Sequence, residues 1–184
     1  MAYNLAQKIL NDDKTVITNM SSVLSNIDTL SICNIHTADI SVDLYVASQV
    51  TTDVTDTGSQ VNFVAGYAAT TSSQAIVIEN SGIAATSDMF LNERVYKDDG
   101  TFIGTCTTFT DENNITFSSG LEVALVNDGD LYTGTRYYIL KGVNVPANTT
   151  LVLEQNELRV DPDTYIMYIK SSNASGNIDV IIRK

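Results

Sequence analysis

The chain has 184 residues, of which 43% are hydrophobic and only 17% are charged, a composition that supports a buried core and excludes extensive disorder. Its 22 carboxylates and ten basic side chains give a formal net charge of -12, which disfavours direct binding to nucleic acids and to anionic membrane surfaces. The longest nearly apolar runs, at 62–70 and 75–78, are far shorter than the roughly 20 residues that cross a bilayer, so no transmembrane helix is expected.

The N-terminal segment MAYNLAQKILNDDK has neither a continuous apolar stretch nor a small-residue cleavage site. We therefore expect a protein that stays in a cytoplasm-like compartment, or in a particle assembled there. Under such reducing conditions Cys33 and Cys106 are expected to remain buried thiols rather than to form a disulfide.

The first 28 residues are predicted to form an N-terminal arm. Leu5, Ile9 and Leu10 have helical spacing and precede a polar stop at 11–13, which predicts one or two helical turns. Because so short a helix is marginal by itself, we expect it to dock on the body of the protein or on a neighbouring subunit.

From residue 29 onward, apolar and polar residues alternate with a period of two. Leu30 and Ile32 share one parity, and the same parity continues at 40, 42, 44 and 46 after a polar break at 36–39. This pattern predicts a β-hairpin with one buried face, and it assigns Ser41, Asp43 and Tyr45 to the polar face.

The middle of the chain, 53–131, is predicted to be a long loop followed by an inserted small β-barrel-like lobe. Residues 47–74 are rich in Thr, Ser, Gly and Ala and show no clean periodicity. Strand-like runs follow, separated by tight turns at 97–100 and 111–114; they are 75–79, 89–96, 101–109 and 115–117.

The C-terminal third shows the clearest alternation, with strands at 137–140, 143–145, 151–153, 165–169 and 178–182. Together with 29–52, residues 132–184 predict the body of the protein. The expected fold class is therefore all-β: a jelly-roll-like β-sandwich body that carries the inserted lobe and a short N-terminal arm.

No residue is assigned a catalytic, cofactor-binding or metal-binding role. The single histidine, His36, falls in a predicted turn, and with Cys33 it forms only an isolated C-x-x-H pair. Acidic pairs at 98–99, 111–112 and 128–130 match no calcium-loop pattern, so solvated turn carboxylates remain the alternative to a calcium site. The protein is expected not to be an enzyme and to need no cofactor.

The C-terminal segment YYILKGVNVPANTTLVLEQNELRVDPDTYIMYIKSSNASGNIDVIIRK resembles a segment that recurs in small virion proteins of tailed bacteriophages. In that pattern a strand leads to a "vPAgTTL" turn, a short strand, a Gly-Asp turn and a closing strand. The earlier segment SICNIHTADISVDLYV is similar to the matching N-terminal hairpin. The chain departs from the pattern at 161–164, where Asp-Pro-Asp-Thr replaces the Gly-Asp turn.

The resemblance implies a structural protein of the phage virion, assembled in the host cytoplasm. Capsid decoration, or cementing of the capsid, is the favoured role, and a neck, tail or fibre-associated role is the alternative. The implied partners are other virion proteins, either the major capsid protein or neck and tail subunits, and further copies of the chain as a homo-oligomer.

A second alternative is a carbohydrate-binding or receptor-binding module, because β-sandwiches often carry such sites. Tyr45, Tyr132 and Tyr138 are candidates to stack on sugar rings. A hydrolase acting on cell-wall polysaccharide is the third class considered, and no pair of carboxylates in the sequence singles it out.

Overall fold

The computed structural model divides the chain into two compact units: a body, formed by 1–47 and 136–184, and a lobe, formed by 48–135. The structure describes residues 4–9, 15–17, 27–50, 52–62, 75–80, 84–97, 99–126, 129–155, 158, 161, 163–173 and 178–183. No helix in these ranges is long and apolar enough to span a membrane.

The described elements are fourteen strands and one short helix. They are β1 (Asn4–Ile9), β2 (Thr15–Val16), β3 (Thr29–Asn34), β4 (Ile40–Ser48), β5 (Val54–Val61), β6 (Ala75–Asn80), α1 (Ser87–Phe90), β7 (Arg94–Lys97), β8 (Phe102–Asp111), β9 (Asn114–Phe117), β10 (Asp130–Gly134), β11 (Arg136–Val145), β12 (Thr150–Glu154), β13 (Tyr165–Ser171) and β14 (Ile178–Arg183).

The body is a sandwich of two antiparallel sheets with four strands each. Sheet A has the order β1-β14-β3-β12, and sheet B has the order β11-β4-β13-β2. The apolar side chains that alternate along these strands meet between the sheets; fully buried members include Leu30, Ile32, Val42, Leu44 and Val180. The predicted all-β class, with a sandwich body and an inserted barrel-like lobe, is confirmed.

The prediction of a hairpin at 29–46 is wrong, although the alternate residues that it assigned to the core are buried. β3 pairs with β12 and β14 in sheet A, whereas β4 pairs with β11 in sheet B. The polar break at 36–39 therefore carries the chain from one sheet to the other. Both strands bury the same parity because both sheets face one core, and alternation alone cannot distinguish a hairpin from such a crossing.

The helix predicted at the N-terminus is also wrong. Residues 4–9 form strand β1, which pairs antiparallel with β14 over its whole length, from Asn4 opposite Arg183 to Ile9 opposite Ile178. Ile9 is fully buried in the core of the body. A six-residue helix gains little without tertiary contacts, whereas an added strand satisfies its backbone groups on the open edge of sheet A.

Six strands form the lobe, as a closed ring in the order β10-β5-β6-β9-β8-β7. The loop predicted at 47–74 is wrong at 54–61, which form β5 in this ring, while 63–74 lie outside the described residues. The strand predicted at 89–96 begins only at Arg94, because Met89 and Phe90 belong to α1. β5 is a Thr- and Ser-rich strand whose pairing comes from its two neighbours rather than from hydrophobic alternation.

Tight turns connect the strands of the lobe where the sequence predicts them. Gly100, with a φ of 78°, lies between β7 and β8, and Val95 faces Gly104 across that hairpin. Cys106, Ile103 and Phe117 are buried inside the ring. Gly104 has to be small, because a Cβ there would lie 2.9 Å from Cδ1 of Phe117.

Candidate functional site

His36 has a role in shaping the crossing between β3 and β4. Its Nδ1 accepts a hydrogen bond from the Ala38 amide at 3.1 Å, and its own amide donates to Oδ1 of Asn34 at 2.9 Å. Asn34 is 1% exposed. The backbone amide two residues later in the chain therefore fixes the imidazole, an arrangement that is typical of polar residues in turns.

Both cysteines are free thiols; the predicted burial is correct for Cys106 in the lobe, whereas Cys33 in β3 is only half-buried. The described residues contain no group of three or more His, Cys, Asp or Glu side chains arranged to hold a metal ion.

Carboxylates in the described acidic turns stabilise the turns themselves. Asp111 accepts hydrogen bonds from the Asn113 amide and from Nδ2 of Asn114, at 2.9 and 2.8 Å. Asp99 accepts one from the Thr101 amide at 2.8 Å and lies 3.8 Å from Nζ of Lys97. Residues 98 and 128, which belong to the predicted acidic pairs, lie outside the described ranges. Asp99 and Asp111 therefore act as turn carboxylates, which accept hydrogen bonds from nearby residues of their own turns.

Two carboxylates in the body have the same kind of partner. Hydrogen bonds from the Asn144 side chain and the Ala147 amide hold the pKa of Asp39 below its ordinary value of 3.8. The Thr164 hydroxyl and the Asp163 amide likewise lower the pKa of Asp161. Donors aimed at the ionised form stabilise it, so these groups stay charged into acidic solution.

The tyrosines of sheet B form a packed cluster. Tyr45, which the alternation pattern assigns to a polar face, is only 1% exposed, so that assignment is wrong. Its ring stacks on Tyr168 with centroids 5.2 Å apart and an interplanar angle of 14°, and it lies 5.3 Å from Tyr138. The guanidinium of Arg136 lies 5.0 Å from the centre of the Tyr45 ring. Aromatic stacking thus occupies the side that alternation assigns to water.

Of the three tyrosines that the sequence suggests for sugar stacking, only Tyr138 is exposed, at 40%. Nζ of Lys141 lies 4.6 Å from the centre of its ring, so one flank of the ring is already occupied. Tyr132 is half-buried in β10. The neighbouring Tyr137 is 47% exposed and contacts Tyr165 edge to face, with centroids 5.8 Å apart.

A cavity of about 200 Å³ opens on the lobe. Its wall is apolar except for the side chains of Lys97 and Asp130, and Oδ1 of Asp130 already accepts a hydrogen bond from Gln60 at 2.7 Å. Val126, at its rim, is 66% exposed. No cluster of convergent polar groups accompanies this cavity among the residues that line it, so its chemistry selects no ligand class.

Charge is divided unevenly between the two units. The lobe, 48–135, contains two basic residues and twelve acidic ones, a formal charge of -10. The body contains eight basic and ten acidic residues, a formal charge of -2. The body is therefore the unit whose surface another acidic protein can approach with little repulsion.

Sheet A turns one face to the core and the other to solvent. We call the second face the outer face of sheet A; its described side chains are those of Ala6, Lys8, Thr29, Ser31, Cys33, Thr150, Val152, Glu154, Asp179, Ile181 and Arg183. Val152 is 50% exposed, and Ile35, which follows Cys33 in the same parity, is 46% exposed. An open sheet face with apolar side chains at its centre is a candidate contact surface.

Sequence reasoning missed this face, although one signal for it was present. Val152 and Ile181 are apolar residues at the solvent parity of their strands, since Leu153 and Ile182 point to the core. Alternation cannot predict that these two side chains lie in one row across the sheet. Val152 and Ile181 both lie opposite Ser31 because of the register in which β12, β3 and β14 pair.

A comparison with models of known protein families finds no match for this chain. A comparison with curated proteins finds no match either.

Proposed function

We propose that this chain is a structural protein of a tailed-phage virion, which stabilises or decorates the particle through contacts between subunits. Decoration of the capsid is the favoured position. The proposal starts from the resemblance of 31–46 and 137–184 to small virion proteins. These two segments supply six of the eight strands of the sandwich, namely β3, β4 and β11 to β14.

The observation that carries the proposal is the open outer face of sheet A on a nearly neutral body. A structural subunit of a particle needs an exposed contact surface toward another protein or toward a second copy of itself, and this face offers apolar side chains at its centre and charged ones at its margin. The acidic lobe, with its formal charge of -10, is unsuited to gripping DNA and is suited to basic patches on partner proteins.

Mass spectrometry of purified virions tests the proposal directly. We expect the chain to be present in gradient-purified particles in many copies and to remain bound after washing in moderate salt. Particles from which the chain is deleted should release their DNA at a lower temperature than complete particles. Absence of the chain from purified virions would contradict the proposal.

Imaging distinguishes the favoured position from the alternative. Electron cryomicroscopy of particles with and without the chain should show density lost from the capsid surface if the chain decorates the shell. Loss of density from the neck, tail or fibres would instead assign it to that alternative, and the structural role would stand.

The exposed tyrosines of β11 favour receptor binding as a second candidate function. Tyr137 and Tyr138 both reach solvent on the edge strand of sheet B, where an amphipathic ring can stack on a sugar. A glycan array probed with the complete chain and with the variant Tyr138→Ala tests this. Binding that the variant loses would support it, and silence of the complete chain would exclude it for the glycans on the array.

A further inference from the structure

We propose that two copies of this chain associate face to face through the outer face of sheet A, about a two-fold axis that runs parallel to β3. The proposal concerns the isolated protein in solution and does not depend on the virion assignment. It is argued from the rows of side chains on that face, from their charges and from their exposure.

Strand register arranges the outer face in three rows that cross the sheet. The central row, from β1 to β12, is Ala6, Ile181, Ser31 and Val152. One flanking row contains Arg183, Thr29 and Glu154, and the other contains Lys8, Asp179, Cys33 and Thr150. The face therefore has an apolar centre between two rows that carry charge, which is how contact surfaces between proteins are commonly built.

These rows are complementary to themselves. When a second copy is rotated about an axis along β3, each residue of β14 faces the residue of the partner's β12 that shares its row. Arg183 then meets Glu154 of the other copy, and Ile181 meets Val152, each contact occurring twice. Asp179 meets Thr150 in the same way, a charged group opposite a hydroxyl.

The residues on the axis itself are small. Thr29, Ser31 and Cys33 each face their own counterpart in the second copy, and all three are half-buried in β3. Small side chains along the axis let the two sheets approach to the usual spacing of about 10 Å without a clash. Bulky residues there would hold the sheets apart and separate the flanking pairs.

Charge favours this face over the surface of the acidic lobe. Two copies of formal charge -12 repel each other, but the lobe contributes -10 of that charge and the body only -2. The described charges of the outer face cancel, since Lys8 and Arg183 balance Glu154 and Asp179. A second copy therefore meets no net like charge at this contact.

The size of the face predicts a weak dimer. With the axis along β3 only β14, β3 and β12 overlap strands of the second copy, and three strands spaced about 4.8 Å apart with six residues of about 3.3 Å each give a patch of roughly 300 Å². Stable complexes bury about 800 Å² per partner, so this contact falls in the weak or transient class. Association should then be visible only at high protein concentration, or where other contacts tether the copies.

Sedimentation equilibrium of the complete chain over a wide concentration range is the first experiment. We expect reversible monomer and dimer, with the variant E154R raising the dissociation constant about tenfold or more, because both symmetric pairs become repulsive. The double variant E154R/R183E should restore most of the affinity, since each charge again meets its opposite. E122R, which makes the same charge change at an exposed position of the lobe, is the matched control and should leave the dimer intact.

The apolar contact and the axis are tested separately. V152D should weaken the dimer, whereas V126D, at an exposed valine of the lobe, should not. A short bismaleimide should cross-link the dimer through Cys33, because Cys106 is fully buried and Cys33 lies on the axis. C33S should abolish the cross-link without changing the dissociation constant.

Circular dichroism of every variant ensures that loss of association does not reflect loss of folding. A chain that stays monomeric at all concentrations would overturn the inference, and so would a dimer that E154R and V152D leave unchanged. Either result would leave the virion proposal standing, since that proposal is decided by the contents of purified particles.

Discussion

Nδ2 of Asn34 donates a hydrogen bond to the carbonyl oxygen of Val145 at 2.9 Å, although 111 residues separate the two along the chain. The same amide group also donates to the carbonyl oxygens of Ala38 and Pro146, at 3.0 and 3.1 Å. One buried side chain thereby joins the end of β3 in sheet A to the end of β11 in sheet B. It closes the sandwich at the point where the chain crosses between sheets.

Asn34→Ala should destabilise the body by about 3 kcal/mol, because the buried hydrogen bond to the Val145 carbonyl and the two part-buried ones to the Ala38 and Pro146 carbonyls are all lost. Urea unfolding followed by circular dichroism measures the change. Asn144→Ala is the matched control: this exposed amide bonds only to Asp39 at 3.2 Å, and its removal should cost under about 1 kcal/mol. Equal effects of the two variants would contradict the role given to Asn34.

Tyr168→Ala should destabilise the protein by about 3 to 5 kcal/mol, since the ring is fully buried and stacks on Tyr45. Tyr138→Ala removes a ring of the same cluster that is 40% exposed, and about 1 kcal/mol is expected. Thermal unfolding of both variants gives the comparison. A Tyr168→Ala variant as stable as the natural chain would show that the cluster is not a packed core.

Gly134→Ala should destabilise the lobe by about 3 kcal/mol or more, because a Cβ there would overlap the carbonyl oxygen of Ser48, which belongs to rigid backbone. Gly104→Ala meets only the ring of Phe117 at 2.9 Å, and a small rotation of that ring limits the cost to about 1 kcal/mol. Denaturant unfolding of the two variants should rank them in this order, and the reverse order would be inconsistent with the close approach of Gly134 to the Ser48 backbone.

Stability should fall in acid. The pKa values of Asp39, Asp99, Asp111 and Asp161 lie below their ordinary value of 3.8, so the folded protein binds fewer protons than the unfolded chain as the pH approaches that value. Their stabilisation is therefore complete above about pH 5 and is lost progressively below about pH 4. The urea concentration at the midpoint of unfolding, measured from pH 7 to pH 2, should be constant above about pH 5 and should decrease below about pH 4.

Asp39→Asn isolates one contribution to this acid sensitivity. Its neutral amide cannot reproduce the ionised partner of the Ala147 amide, so the variant should be less stable than the natural chain at neutral pH. The difference should shrink as the pH falls, because protonation removes the same charge from the natural chain. A difference that is constant over the whole pH range would exclude the carboxylate as its cause.

The sequence predicts the polar turn sites, but it does not predict the candidate contact surface. Turn carboxylates such as Asp111 follow directly from their position in a polar tetrapeptide between two strands. Tyr45 was misassigned because alternation predicts the side of a strand, and the outer side of sheet B proved to be packed with aromatic rings. The outer face of sheet A required a register across four strands, which local patterns do not contain.

Alternation in the chain was enough to predict an all-β protein and to identify Leu30, Ile32, Val42 and Leu44 as core residues. This succeeded because side-chain burial follows a local period of two. Only the tertiary structure decided that β3 and β4 lie in different sheets, that 4–9 form a strand and that β5 belongs to the ring. Every residue except proline offers the same backbone donor and acceptor, so pairing is decided by contacts between strands distant in sequence.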